Sequence, residues 1–202
     1  MQKKSRREFY LYAIFFANPN PKPKICMVYI KLCTLADAQD LLAVSFQTFE
    51  EAFKADNNPE NYELYVKKVF TLEVIKEELA YDKNIFFFLM ENGTRNIIGY
   101  LKLRWDRSEE FFPKAQALEL QRIYIKKNYW NGGYGKMLLD FTETYARYNG
   151  FDWLWLIVWS ENEKGVRFYE REGWEKFGRK DFPFGNEIHH DYAMRKRLKI
   201  EN

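Results

Sequence analysis

Asn128-Tyr129-Trp130-Asn131-Gly132-Gly133-Tyr134-Gly135-Lys136 is the stretch that decides the fold. Before it, Leu118 to Ile125 reads as a strand. After it, Tyr134, Leu138, Phe141, Tyr145 and Tyr148 recur at helical spacing opposite Lys136, Asp140, Glu143 and Arg147. Glycines at a strand-to-helix junction expose backbone N–H groups. At a helix N-terminus those donors lack carbonyl partners and stand at the positive end of the macrodipole. The turn therefore suits an anion such as a pyrophosphate, because no Cβ obstructs close approach or penalises a positive φ. A plain strand-to-helix turn would look the same. Two better-known phosphate loops do not fit. Met137 follows Gly135-Lys136 where a P-loop needs a hydroxyl for Mg²⁺, and Leu138 stands where a dinucleotide fingerprint starting at Gly133 needs a small residue.

The chain has 202 residues and no repeat, which implies one domain with a real core. A net charge of +3, with basic and acidic residues interspersed, argues against a nucleic-acid partner. Cys26 and Cys33 form no Cys-x-x-Cys pair or metal pattern, consistent with a reduced, cytoplasmic protein. Lys3, Lys4, Arg6 and Arg7 precede an apolar run from Phe9 to Ala17 that superficially resembles a signal peptide. The run is too short to span a bilayer, and Asn18-Pro19-Asn20-Pro21-Lys22-Pro23 breaks any helix after it. Residues 1–26 are thus expected to be a poorly ordered extension or an over-called start, residues 27–202 to be the domain, and no membrane to be involved.

Within that domain a strand from Val28 to Cys33 leads through Thr34, a helix-capping residue, into a helix from near Ala36 to about Phe53. Asp56-Asn57-Asn58-Pro59 turns into a second helical region, where Thr71 can cap Leu72 to Ala80. Asn84 to Met90 and Ile97 to Trp105 read as antiparallel strands around the turn Glu91-Asn92-Gly93. Beyond the glycine turn, Asn149-Gly150 ends its helix, Trp153 to Trp159 is a buried strand, and Asn162 to Gly173 is a short helix. Strands start at Trp174 to Phe177 and run from about His190 to Leu198. The order implies an α/β (α+β) fold: a mixed, mostly antiparallel sheet flanked by helices, with a parallel β-α-β unit at the glycine turn.

Two motifs in this order resemble the GNAT superfamily of acyl-CoA-dependent N-acetyltransferases. Trp130-Asn131-Gly132-Gly133-Tyr134-Gly135, after a strand ending Arg122-Ile123-Tyr124-Ile125, resembles the Gln/Arg-x-x-Gly-x-Gly/Ala loop. Asn162 through Trp174 is similar to the Asn-x-x-Ala-x-x-x-Tyr-x-x-x-Gly-Phe signature. The resemblance covers Met27 to the end, and the tail from Phe184-Gly185 to Asp191-Tyr192-Ala193-Met194 looks like the bacterial PaiA-type polyamine acetyltransferases. There are departures. Trp130 replaces Gln or Arg, removing one side chain from the pyrophosphate cradle, and Gly165 replaces alanine at a helix cost of about 1 kcal/mol.

The resemblance implies acetyl-CoA as co-substrate, no metal, and acetyl transfer to a primary amine by direct attack in a ternary complex. It also implies cofactor-binding roles for Ile123, Tyr124, Ile125, Trp130, Asn131, Gly132, Gly133, Tyr134, Gly135, Lys136, Asn162, Phe168 and Arg171. The amine must shed a proton before it attacks, so a base is required. Glu119, in the strand before the loop and read as sharing a face with Gln121 and Ile123, is placed for that; it could equally be a solvent-facing or paired carboxylate. Tyr169 is implied as the acid that protonates the leaving thiolate, whereas helical spacing alone has it packing beside Phe168. Asn162 is an ordinary N-cap, and the resemblance adds a contact with the pantetheine arm.

Other features are read more plainly. His189 and His190 are adjacent on a strand and so point to opposite faces, which argues against chelation. Arg195, Arg197 and Lys199 alternate along what reads as a solvated edge strand. Glu50, Glu51, Asp56, Glu60 and Glu63 could attract a polyamine or simply form the polar face of surface helices. A small-molecule amine is the expected partner, and a homodimer is left open. The competing reading is a GNAT-like module that senses acetyl-CoA without turnover.

Overall fold

Asn84–Glu91 is apolar without interruption because this strand is covered on both faces. Ile85, Phe87 and Leu89 pack into one core cluster, Phe86, Phe88 and Met90 into another. The computed structural model describes residues 27–106, 111–112 and 116–198. The extension expected over residues 1–26 lies outside them.

The chain runs β1 (Val28–Leu32), a 3-10 turn (Leu35–Asp37), α1 (Ala38–Phe53), α2 (Pro59–Val69), α3 (Leu72–Ala80), β2 (Asn84–Glu91), β3 (Ile97–Arg104) and β4 (Ala117–Ile125). It continues through α4 (Tyr134–Tyr148), β5 (Trp153–Val158), α5 (Glu163–Arg171), β6 (Glu175–Phe184) and β7 (Glu187–Arg197). The seven strands form one sheet in the order β1-β2-β3-β4-β5-β7-β6. Among the described strands only β4 and β5 pair in parallel, joined through α4 as the β-α-β pattern requires. The larger core cluster lies under α4, whose Leu138, Leu139, Phe141 and Tyr145 are buried. The other cluster lies under α1 and α3. Tyr148, expected on the buried stripe of α4, is 49% exposed because the helix ends there.

Three features depart from the sequence reading. The second helical region is two helices. Asn58 accepts from the N–H groups of Glu60 and Asn61 to start α2 with Pro59 in its first turn, and the Thr71 hydroxyl accepts from Val74 N (3.2 Å) to start α3. Thr34 pairs with Asp37 over the 3-10 turn, which delays α1 to Ala38. Finally β7 is not an edge strand. It lies between β5 and β6, and the guanidinium of Arg195 packs over the rings of Trp153 (5.0 Å) and Phe177 (5.1 Å), with Arg197 also over Trp153 (5.8 Å). Lys199 lies outside the described residues.

Two irregularities create the space for a site. Parallel pairing of β4 with β5 covers only Ala117–Trp153, Leu118–Leu154 and Glu119–Trp155, while β5 stays paired with β7 as far as Val158–Tyr192. Beyond Glu119 the two strands part. In addition the β3–β4 register passes from Leu103–Leu120 to Lys102–Arg122, leaving Gln121 as a bulge. The extra residue resets the alternation. Ile123 packs toward the α4 cluster rather than sharing a face with Glu119 as read from the sequence, and Arg122 and Tyr124 turn to the Glu119 side.

Candidate functional site

The glycine turn lies at one mouth of the gap between β4 and β5. After β4 the chain makes a 3-10 turn over Lys127–Tyr129, held by the Lys127 N–H donating to Glu51 (2.7 Å) and by the Asn96 amide donating to the Tyr129 hydroxyl (2.6 Å). Asn131 and Gly133 then take positive φ, 61° and 80°, and α4 begins at Tyr134. The first bond into the helix is Met137 N to Gly133 O (3.1 Å), so the N–H groups of Tyr134, Gly135 and Lys136 have no carbonyl within the helix. A Cβ on Gly132 would stand 2.7 Å from the Tyr134 ring. The turn at residues 131–136 thus leads into α4 with a backbone that the glycines leave open to close approach, a geometry able to take an anion.

Trp130 has a job of its own. Its indole N–H donates to the carbonyl of Ile125 at 2.6 Å, which ties the turn to the end of β4 while leaving the ring 44% exposed. Lys136 directs its ammonium away from the turn, to Asp140 (2.8 Å) and Glu172 (3.4 Å). Its pKa rises through the hydrogen bond it donates to Asp140.

Helix α5 closes the other side of the gap. The Asn162 side chain accepts from Gly165 N at 2.9 Å, and a Cβ at position 165 would meet that same amide at 2.7 Å, so glycine lets the cap sit close. Phe168 packs against the first turn of α4 near Gly135, while Arg171 lies exposed in the last turn of α5. Tyr169 is 9% exposed, its ring against Phe168 (5.2 Å) and Trp174 (5.6 Å). The ring packs beside Phe168 as helical spacing implies, and the hydroxyl hydrogen-bonds no described residue. Burial, then the neighbouring Tyr124, push its pKa above the ordinary phenol value, so it stays protonated and able to donate.

On the opposite face of the sheet is a cleft of about 370 Å³. Glu119, Gln121, Arg122 and Tyr124 of β4 form one wall, Trp155 and Ile157 of β5 another, and Phe49, Phe53 and Tyr65 of the helical layer a third. The β6–β7 hairpin supplies Phe182, Phe184, His189 and Asp191. The hairpin is pinned there because Asn186 N donates to Asn61 of α2 (2.8 Å), and Gly185 lies so close to Asn61 that a Cβ would be 2.5 Å from its Cα. His189 stacks on Trp159 and Phe184, and His190 points away to Asp181 at 2.6 Å, so the two imidazoles diverge as read.

The sequence reading missed Asp191. It is 5% exposed, its Oδ1 has no hydrogen-bond partner among the described residues, and burial raises its pKa, with His189, the Ser160 N–H and His190 partly offsetting that. Gln121 Oε1 and Trp155 Nε1 are likewise buried without a partner among the described residues. Buried polar atoms of this kind mark a cleft that receives polar groups from a ligand or water. None of Glu50, Glu51, Asp56, Glu60 or Glu63 lines it. Glu50 pairs with Lys54 (2.6 Å) and Glu63 with Lys67 (3.5 Å).

This geometry has known counterparts. The model of the acetyltransferase (GNAT) family matches residues 46–174. The chain belongs to the GNAT family. As a GNAT protein it is an acetyl-CoA-dependent N-acetyltransferase. An uncharacterized N-acetyltransferase in the pepI 3' region of Lactobacillus delbrueckii subsp. lactis is 32% identical over 162 residues, covering 80% of this chain and 92% of that protein. The spermidine N(1)-acetyltransferase of Thermoplasma acidophilum is 22% identical over 150 residues, 73% of this chain and 88% of that one. Among solved structures, the PaiA N-acetyltransferase of Thermoplasma acidophilum in complex with coenzyme A superposes with a TM-score of 0.66 at 21% identity, covering 84% of this chain and 98% of that one. The ribosomal-protein-S18-alanine N-acetyltransferase of Escherichia coli gives 0.62 at 16% identity, covering 87% and 97%. The residues of this GNAT chain fit the cofactor such enzymes use: a glycine-opened turn at the start of α4, a strand edge released from pairing after Glu119, and a protonated phenol on α5. No helix among the described residues is long and apolar enough to cross a membrane.

Proposed function

We propose that this GNAT enzyme passes the acetyl group of acetyl-CoA to a primary amine that enters the aromatic cleft, by direct attack with both substrates bound. The observation that carries the reading is the parting of β4 from β5 after Glu119, on the strand that runs from the cleft wall at Glu119 to the glycine turn. In this reading acetyl-CoA supplies a thioester whose carbonyl carbon is the electrophile. Backbone N–H groups of the turn at residues 131–136, apart from Gly132 N, which donates to the Tyr129 carbonyl, hold the pyrophosphate, and the freed edge of Ile123, Tyr124 and Ile125 offers backbone groups to the pantetheine arm. Trp130 fixes the cradle to that edge, Asn162 and Phe168 border the arm, and Arg171 stands at the outer rim.

Glu119 takes one proton of the incoming ammonium, Tyr169 gives one to the departing sulfur, and the second proton that the nitrogen sheds as the amide forms restores the phenol through solvent. Cys33 takes no part. It is buried with its thiol pKa pushed up by that burial, the opposite of an activated nucleophile.

A polyamine is one acceptor of this class. It is favoured by the resemblance to the Thermoplasma spermidine enzyme, and by aromatic walls that attract ammonium groups. The test is release of free CoA from acetyl-CoA in the presence of a panel of primary amines. Release above background with at least one amine is expected, and binding of acetyl-CoA without release from any amine would leave only a sensor.

A further inference from the structure

We propose that Asp191, beside Trp159, is a seat for a second ammonium of the acceptor, one that is held while the amine at the other end of an apolar spacer reacts. The inference rests on the acetyl-transfer reading and assigns a specificity-determining residue of the same cleft.

Asp191 has the surroundings of a carboxylate that waits for a cation. It is buried yet lines the cleft, the Ser160 N–H donates to it, and its Oδ1 has no hydrogen-bond partner among the described residues. Burial raises its pKa because the charge sits in an apolar wall. The cations of the region are directed elsewhere. Lys180, opposite Asp191 in the β6–β7 register, carries its ammonium over the Phe111 ring at 5.3 Å. Arg122, on the β4 wall, forks onto Glu78 at 2.8 and 3.0 Å, a carboxylate it shares with the buried Lys102 at 2.5 Å. A buried carboxylate without a cation is costly, and an ammonium on the acceptor would supply one.

The rings around this carboxylate suit the same ligand. One step beyond the Val158–Tyr192 pair of β5 and β7 stand Trp159 and Asp191. Trp159 stacks on His189 (5.7 Å) and meets Phe53 edge-on (6.0 Å), and Phe53 in turn meets Tyr124 (6.1 Å). All of them line the cleft with Asp191. Aromatic faces attract a cation, and a carboxylate accepts its hydrogen bonds.

The seat is separate from the place where the amine reacts. Glu119 pairs with Trp155 and Trp155 with Arg195, so Asp191 lies four residues along β7 from the Glu119 row. That is roughly 13 Å along the strands at about 3.3 Å per residue, and two strand spacings of about 4.8 Å across. The floor between is the pair Ile157–Ala193, apolar in both members, and Phe49 and Phe53 of α1 line the same cleft. Methylenes cross such a floor without leaving a polar group unpaired. The two side chains and a hydrogen bond at each end shorten the span, which leaves a spacer of several methylenes and is too long for two. In the transfer the nitrogen near Glu119 bonds to the acetyl carbon as the carbon–sulfur bond breaks. One of its protons goes to Glu119, Tyr169 protonates the sulfur, and the nitrogen's second proton restores the phenol through solvent. The nitrogen at Asp191 stays an ammonium and only positions.

The test is CoA release by the full chain with ethylenediamine, putrescine, cadaverine, hexamethylenediamine and spermidine, each against the n-alkylamine that lacks the second nitrogen. We expect kcat/KM for the best of the longer amines to exceed that of its matched alkylamine by about ten-fold or more, chiefly through KM, and ethylenediamine to show no such advantage. In Asp191→Asn that ratio falls toward one, whereas a purely structural role would lower both acceptors alike and leave the ratio where it was. Trp159→Leu lowers the same ratio, and decides the matter if Asp191→Asn does not fold. Equal or better use of the alkylamines, an advantage already full in ethylenediamine, or a ratio untouched in the folded variant overturns the seat at Asp191 while leaving acetyl transfer standing. No release with any acceptor overturns both.

Discussion

Replacing Tyr169 with phenylalanine separates chemistry from architecture more cleanly than any other single change. The ring that packs on Phe168 and Trp174 is kept, and the hydroxyl that is lost bonds no described residue. Stability should therefore stay within ~0.5 kcal/mol of the parent, or rise slightly because a desolvated polar group has gone. The thiolate, however, now leaves without a proton. Loss of a positioned general acid costs roughly 10²- to 10⁴-fold, or about 3–5 kcal/mol of transition-state stabilisation. The assay is stopped-flow release of CoA at saturating acetyl-CoA, beside calorimetry for acetyl-CoA affinity and a thermal melt. The expectation is a kcat lower by two orders of magnitude or more with unchanged affinity and an unchanged Tm. In the parent, burial and Tyr124 raise the phenol pKa, so the acid stays protonated through neutral pH and its ionisation causes no loss of rate until above the ordinary phenol range. A Tyr169→Phe enzyme that turns over as fast as the parent would remove Tyr169 from the mechanism, and one that melts early would show that the hydroxyl has a structural partner.

Gly133→Ala forces a side chain into φ 80°, a strain of about 1–2 kcal/mol; a Tm lower by a few degrees and weaker binding of CoA by calorimetry are expected. Asn162→Ala should cost ~1 kcal/mol by removing the α5 cap. Gly165→Ala alone gains little, since its Cβ displaces the Asn162 amide, but it should stabilise in the Asn162→Ala background, a non-additivity that urea melts of the four proteins would read. Lys102 has a folded pKa of about 7, below its unfolded value, so between pH 7 and roughly 10 the unfolded chain binds more protons and stability on this account rises with pH. Lys102→Met, which keeps the Arg122–Glu78 pair, should flatten that rise in melts at pH 7 and pH 9.

Much of this was legible because it is local. The glycine turn, the capping residues Thr71 and Asn162, and the helix between β4 and β5 follow from short-range rules, and the parallel pairing of those strands follows from the helix that joins them. What was hidden depends on partners far away in sequence. The bulge at Gln121 exists only relative to β3, so strict alternation put Ile123 on the face that Arg122 and Tyr124 occupy. Arg195 and Arg197 look like edge residues until β6 pairs outside them and aromatic rings lie beneath them. Asp191 reaches the cleft because a hairpin is held by Asn61, 125 positions from Asn186. Its neighbours His189 and His190 drew attention to metal binding, whereas the strand geometry that separates them also places Asp191 beside His189 on the cleft face.

The account stands on the backbone donors of the turn at residues 131–136 holding the diphosphate of coenzyme A. Titration calorimetry of the folded chain with CoA tests this most directly. One molecule of CoA bound per chain, with affinity reduced in Gly133→Ala, is the predicted result; no heat of association with the parent protein would contradict it.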